Sequence, residues 1–354
     1  MRAAGVPALT RFRPADKTTM SEVTADFVST RRNARWQSIQ RVLFALLLRL
    51  FSLIIPALLV GLFLFLTWKA WPALQFNGLG FLGSNDWDLG SQYGTPTTVD
   101  GHMVLPGASY GIFFLIFGTL ASSGLALLFA VPVGVLAAMF IAEIVPAGVR
   151  DLVAAIVELL AAVPSVVFGL WGYVVVIPLA AHYVYPYMAD VLGFIPGFGG
   201  PVGAGYGLLT AGIVLALMVV PIITANVREA ISAVAQSEVE AGFALGATRF
   251  EVVRKVVMPQ VRRAIIGVTI LGLGRALGET MAVLMVSGNA LAVPTNIYNP
   301  MSTMAAFIVS QLDSALQDPT GMAVNSLTEI GLVLLIMGVI VNAVARLLLW
   351  QIRE

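Results

Sequence analysis

"AIIGVTILGLGRALGETMAVLMVSG", residues 264–288, reads as a membrane span that carries two charges. At 1.5 Å per residue this stretch is long enough to cross the roughly 30 Å of a bilayer's hydrocarbon core, and only Arg275 and Glu279 interrupt its apolar and small side chains. Either charge at the centre of an inserted helix costs about 2.5–3.5 kcal/mol on insertion scales, so their presence needs a reason.

The whole chain is of the same kind. Hydrophobic residues make up 58% and charged residues 11% of its 354 residues, with a mean hydropathy of +0.91. Soluble domains carry about 25% charged residues, so the composition implies an integral membrane protein. With no cysteine there is no disulfide framework, thiol nucleophile or cysteine metal site, and His102 and His182 form no metal-ligand pattern. Six segments have the length and hydropathy of spans, at roughly 43–68, 112–140, 152–178, 207–226, 264–288 and 329–350. The expected class is all-α and polytopic, with a basic N-terminal tail over 1–42 and a six-helix membrane domain over 43–354.

Basic residues orient the spans. The tail through Arg49 holds nine, and the 227–263 connection holds Arg228, Arg249, Arg254, Lys255, Arg262 and Arg263. Only Lys69 lies in 69–111, while 179–206 and 289–328 have none. The positive-inside rule then puts both termini and the 227–263 loop in the cytoplasm of a multi-pass protein of the cell membrane. Trp68, Trp71 and Trp350 sit at span ends, as an aromatic belt requires. A polar, basic stretch precedes the first apolar run, which argues for an uncleaved anchor rather than a signal peptide; Met20 is an alternative start to Met1, and Arg31, Arg32 and Arg35 serve topological retention or touch anionic lipid.

Spacing i,i+4 on a continuous helix would place Arg275 and Glu279 on one face, about 17 Å and 22 Å from an inner edge near Ala264. One reading is a self-neutralising pair that only fixes packing. Arg before Glu is the weaker order, however, and apolar residues would pack there at lower desolvation cost. The other reading is that Arg275 faces a watery path and attracts an oxyanion through its planar fork, with Glu279 competing so that the anion is released, and with Thr280 and Asn289 nearby on the path. Gly274 and Gly278 form a G-x-x-x-G pair that admits a neighbouring helix. Glu158, inside the third span, either lines the path or pairs with Arg150. Pro164, Pro132 and Pro56 should kink or break their helices, with Ser165 free to satisfy a released carbonyl.

The glycine-rich runs at 72–110 and 193–207 predict turns and broken segments that either pack over the bundle or dock an external partner. Residues 171–188 extend the third span or turn along the interface. In "SEVEAGFALGATRFEVVRKVVMPQVRRAI", residues 237–265, Ser237 and Glu240 have capping-box spacing, so a helix is expected to start there, end at Gly246, and be followed by a second over 250–257 before Pro259.

Glu240-Ala241-Gly242, Gly246 and Val256-Val257-Met258-Pro259 resemble the EAA loop of ABC importer permeases, with conservative changes at Gly242, Val256 and Met258. The resemblance implies that this loop, with Glu240, Ala241, Gly242, Gly246 and Pro259, couples to a cytoplasmic ATPase subunit. ATP would then be bound and hydrolysed on another chain, leaving this one with no cofactor and no catalytic residue; the sequence has no P-loop pattern. "LGLGRALGETMAVLMVSGN", 271–289, with "AAVPSVVFGLWG", 161–172, is similar to phosphate-specific permease subunits, to the PstC type more than to PstA. That similarity spans about 105–350 and implies phosphate as cargo, Arg275 and Glu279 in its translocation, a related second permease chain, an external phosphate-binding protein, and no nucleic acid. The alternatives are an ion-coupled secondary anion transporter, which leaves the 240–259 loop unexplained, a permease for sulfate or another small solute, and a membrane protein that only signals phosphate status.

Overall fold

The computed structural model describes the backbone of residues 17–91 and 94–351 and the side chains of residues 40–91 and 94–347. Met20, Arg31, Arg32, Arg35 and Trp350 therefore fall outside the described side chains. The chain divides into two units, residues 1–64 and 65–354. In the first, the described residues belong to helix α1 (Lys17–Asn77), whose apolar, membrane-length part begins at Gln40. The expected tail boundary at residue 42 falls inside this helix.

In the second unit, α2 (Gly80–Gly83) precedes two short antiparallel pairs, β1 (Trp87–Asp88) with β4 (Ser109–Tyr110) and β2 (Thr97–Val99) with β3 (His102–Val104). The bundle follows as α3 (Phe113–Met139), α4 (Ala147–Ala161), α5 (Ser165–Trp171), α6 (Ile177–Leu179), α7 (Tyr185–Leu192) and α8 (Leu208–Ser232). It closes with α9 (Gln236–Ala244), α10 (Arg249–Val252), α11 (Met258–Leu277), α12 (Met281–Val286), α13 (Met304–Leu316) and α14 (Met322–Gln351). Single wide π-turns at 140–144, 172–176, 180–184 and 253–257 keep neighbouring pieces in line.

Six segments are long and apolar enough to cross a membrane: Gln40–Asn77, Phe113–Ile144, Ser165–Leu192, Leu208–Ser232, Arg249–Leu277 and Met322–Leu347. The third differs from the expected 152–178. Pro164 has no N–H to continue a helix and takes an extended ψ of 139°, so α4 ends before it and residues 171–188 belong to the span that starts at Ser165. Pro132, by contrast, lies within an unbroken α3. The Ser165 hydroxyl makes no hydrogen bond among the described residues, so it does not satisfy a freed carbonyl.

α8 is the central helix, with 72% of its apolar window buried. It meets α3 along small residues: a Cβ on Gly134 would stand 2.7 Å from Ile223 Cγ2, and Thr224 Oγ1 donates to the Gly134 carbonyl at 3.3 Å. Close backbone approach of this kind substitutes for the hydrophobic effect, which does not act between helices in lipid. A second apolar cluster lies where residues 69–111 pack on α13 and α14. There the Trp87 ring is 5.1 Å from Tyr110 and 5.0 Å from Phe307. Burial, then the charges of Asp318 and Asp88, push the Tyr110 phenol up from its ordinary pKa, so it stays protonated. The glycine-rich 193–207 segment also packs inward. Gly207, at φ 153°, would place a Cβ 2.5 Å from the Tyr298 carbonyl, and the N–H groups of Leu208 and Leu209 donate to Asn299 and Ile297 at 3.1 and 2.8 Å.

Candidate functional site

The 264–288 span is not one helix. α11 stops at Leu277, Gly278 caps it, and α12 starts again at Met281. No proline causes this break. Glu279 Oε1 accepts the Ala282 N–H at 3.3 Å and the Thr280 carbonyl accepts from Leu284 at 2.9 Å, so these two residues serve as the N-terminal cap of α12. Packing fixes the new direction: α12 lies on α5, and a Cβ on Gly169 would come within 2.8 Å of Ala282 Cα.

The break overturns the shared Arg–Glu face. No ion pair joins Arg275 to Glu279, because the helix that would align them ends between them. Arg275 instead occupies the last turn of α11, where a cation suits the helix dipole, and its side chain is exposed with no hydrogen-bond or ion-pair partner among the described residues. It lies on a helical stripe with Gly267, Leu271, Gly274 and Gly278. Among the described residues nothing comes within 4 Å of a Cβ placed on Gly267 or Gly274, and Gly278 faces only its own preceding turn. Asn289, at φ 50°, folds back on this unit: its Nδ2 donates to the Leu284 carbonyl at 3.0 Å and its Oδ1 accepts from Ser287 at 3.2 Å.

Glu158 pairs with Arg228 rather than with Arg150. The contact is 3.0 Å, and it forms because α4 is a separate helix lying along α8. Glu158 is 58% exposed and sits before the Pro164 break, outside the third span. Arg150 Nη2 donates to the Val145 carbonyl at 3.2 Å.

At the other end of the bundle, α9 projects as a knob with no buried residue; Glu240 and Ala241 are exposed, as are Phe243, Leu245 and Phe250. Its start differs from the expected Ser237 cap. Ala235 is the N-cap, without a side-chain bond, and the reciprocal capping box is Thr248 with Glu251 at the start of α10. Its end is as expected. Gly246, at φ 81°, takes the left-handed position, with Gly246 N–H to Phe243 O at 2.9 Å and Ala247 N–H to Gly242 O at 3.3 Å. Gly242 holds the knob against α10, since a Cβ there would meet Val252 Cγ2 at 3.1 Å. Pro259 is the second residue of α11, directly after the π-turn at 253–257 within the continuous Arg249–Leu277 segment.

Residues 130–353, which contain the knob, both breaks and Arg275, match the family model described as "Binding-protein-dependent transport system inner membrane component". The chain belongs to this family. It is 46% identical over 282 residues to the phosphate transport system permease protein PstC 1 of Mycobacterium tuberculosis, covering 78% of this chain and 83% of that one. Against the PstC protein of Pasteurella multocida the figures are 35% over 318 residues, 88% and 92%. Against the probable PstC protein of Methanocaldococcus jannaschii they are 31% over 301 residues, 85% and 90%. The chain is thus a multi-pass membrane permease of the phosphate-importer type, in a family of transport subunits.

Two features of this permease escaped the sequence reading. Glu329 is 1% exposed inside the sixth span, which starts at Met322 rather than 329, and it accepts a hydrogen bond from Asn77 Nδ2 at 2.8 Å. A carboxylate in the apolar run "NSLTEIGLVLL" was the available signal. Gly169 had none, because its partner Ala282 is far along the chain.

Proposed function

We propose that this permease passes inorganic phosphate across the cell membrane as half of a path shared with a second, related permease chain. The observation that carries the reading is Arg275: a charged, exposed, unpartnered side chain on a stripe of small residues within a membrane span. Such a side chain cannot face lipid at tolerable cost, so it faces water and a partner chain. Its guanidinium can give a phosphate two charge-assisted hydrogen bonds at any physiological pH. Because Glu279 caps α12 rather than neutralising Arg275, the cation is free for the anion. Thr280 belongs to the junction between α11 and α12, and Asn289 lies past the far end of α12, where it would meet the anion further along the path.

The exposed α9 knob, with Glu240, Ala241, Gly242 and Gly246, is the contact for a cytoplasmic ATPase subunit, which binds and hydrolyses ATP in place of this chain. An external binding protein delivers phosphate on the side of residues 69–111, and both termini are cytoplasmic.

The test is labelled phosphate uptake by membranes holding the assembled complex, with and without ATP, comparing the native chain with Arg275→Ala at matched expression. Hydrogen bonds to charged groups are worth about 1.5–3 kcal/mol, so ATP-dependent uptake that resists excess sulfate should fall roughly 10- to 150-fold in the variant. Uptake indifferent to ATP overturns the coupling; uptake indifferent to the substitution leaves Arg275 as a helix-terminal charge only.

A further inference from the structure

Beneath the knob lies a cavity of about 580 Å³ that the proposed transport path does not use. Its walls come from α9 (Val239, Phe243), the end of α8 (Ser232), α4 (Arg150) and the turn after α3 (Glu143), with Arg249 at the start of α10. Two guanidinium groups therefore share it with a single carboxylate. Neither cation is fully engaged. Arg150 spends Nη2 on a backbone carbonyl while its Nε is buried with no partner. Arg249 also donates to the Glu143 carbonyl, but its contact with the Glu143 carboxylate is 3.7 Å, an ion pair beyond hydrogen-bond reach.

Two guanidinium groups lining a cavity with one carboxylate leave a net positive charge that a bound anion would balance through charge-assisted hydrogen bonds. We infer that this cavity is a second anion site, in which Arg150 and Arg249 hold a phosphate group and Glu143 is the carboxylate it displaces. The site is separate from Arg275 and does not depend on what the path carries. Because Val239 and Phe243 form one wall and Arg150 another, an occupant ties the knob to α4. Anion on the knob side thus reports directly on the element proposed to meet the ATPase. Free inorganic phosphate and the headgroup of an anionic lipid share the required chemistry.

The assembled complex in phosphatidylcholine nanodiscs, in an Arg275→Ala background, is titrated with labelled inorganic phosphate by equilibrium dialysis. A parallel sample contains phosphatidylglycerol, and the lipid retained on the complex is weighed by native mass spectrometry. Removing both cations, Arg150→Gln with Arg249→Gln, should weaken binding by roughly ten-fold or more. Glu143→Gln removes the competitor and should tighten it several-fold, a gain that a folding defect does not mimic. Phosphate binding that follows both changes establishes the free anion, and phosphatidylglycerol retention that follows both establishes the headgroup. If neither ligand responds to Glu143→Gln, the inference is wrong.

Discussion

Two helical stretches of this chain are interrupted, one at Pro164 and one at Gly278–Thr280, and the interruptions have different causes. At Pro164 the local sequence favours a break, because the proline offers no N–H and takes an extended ψ, although Pro132 is carried inside the unbroken α3. At Gly278 nothing in the local sequence forbids a helix; Gly278 itself has φ −93°, open to any residue. There the break is held by the Glu279 contact to Ala282 and by the seat of α12 on α5. The helix restarted after the first break packs on the helix restarted after the second, at Gly169 and Ala282. A locally enforced break thus serves as the template for one enforced at a distance, and the second sets the surroundings of Arg275.

The largest structural effect is expected from Gly169→Val. A Cβ there meets a backbone Cα at 2.8 Å, and backbone cannot swing aside, so overpacking should cost about 1–3 kcal/mol and separate α5 from α12. Phosphate uptake by the complex should fall roughly ten-fold or more, in proportion to that cost. A variant with native uptake and an unchanged unfolding midpoint would show that the two breaks are independent.

Next in size is Pro164→Ala, which removes a helix penalty of about 3 kcal/mol and permits α4 to run into α5. The chain has no cysteine, so spin labels on Leu152→Cys and Val166→Cys read the change without background. Their distance distribution should shift toward the roughly 21 Å of a straight helix of that length. Uptake should drop several-fold as α5 loses its direction. An unmoved distribution would mean that the packing of α4 on α8, rather than the proline, enforces the first break as well.

This contrast also explains what was legible in the sequence. The six spans follow from composition and length, since hydrocarbon leaves the backbone few choices. Gly246 was legible because a left-handed helix end nearly demands glycine. Capping spacing was not decisive: Ser237–Glu240 and Thr248–Glu251 have the same pattern, and only the second is used, because α9 is already helical at Gln236. Arg275 and Glu279 were found as charges in an apolar run, but their relation was misjudged, since the break between them rests on contacts with α5. Pairing with nearby Arg150, one of the two roles open to Glu158, fails for the same reason; its actual partner, Arg228, is brought to it by tertiary packing.

A smaller effect separates the two roles open to Glu279. As a cap, it needs an acceptor for the Ala282 N–H, which glutamine also supplies; as a charge, it needs ionisation, which glutamine lacks. Glu279→Ala should cost about 1 kcal/mol, in the range of lost helix caps, and Glu279→Gln only a few tenths, with unfolding midpoints of the purified chain as the measurement. Equal losses in both variants would return Glu279 to an electrostatic role beside Arg275.

The smallest effect belongs to Glu158→Gln. Its pair with Arg228 ties α4 to α8 just ahead of the Pro164 break, but Glu158 is 58% exposed, and pairs of that kind contribute about 0–1 kcal/mol. Stability and uptake should stay near native, which would leave the proline as the sufficient cause of the first break. A double-mutant cycle with Arg228→Gln isolates the pair from each residue's other contacts. A coupling well above 1 kcal/mol, accompanied by the shifted spin-label distances expected of Pro164→Ala, would mean that both interruptions are held from outside the interrupted helix. The contrast between a local and a distant cause would then be lost, and α8 would become the common support for both.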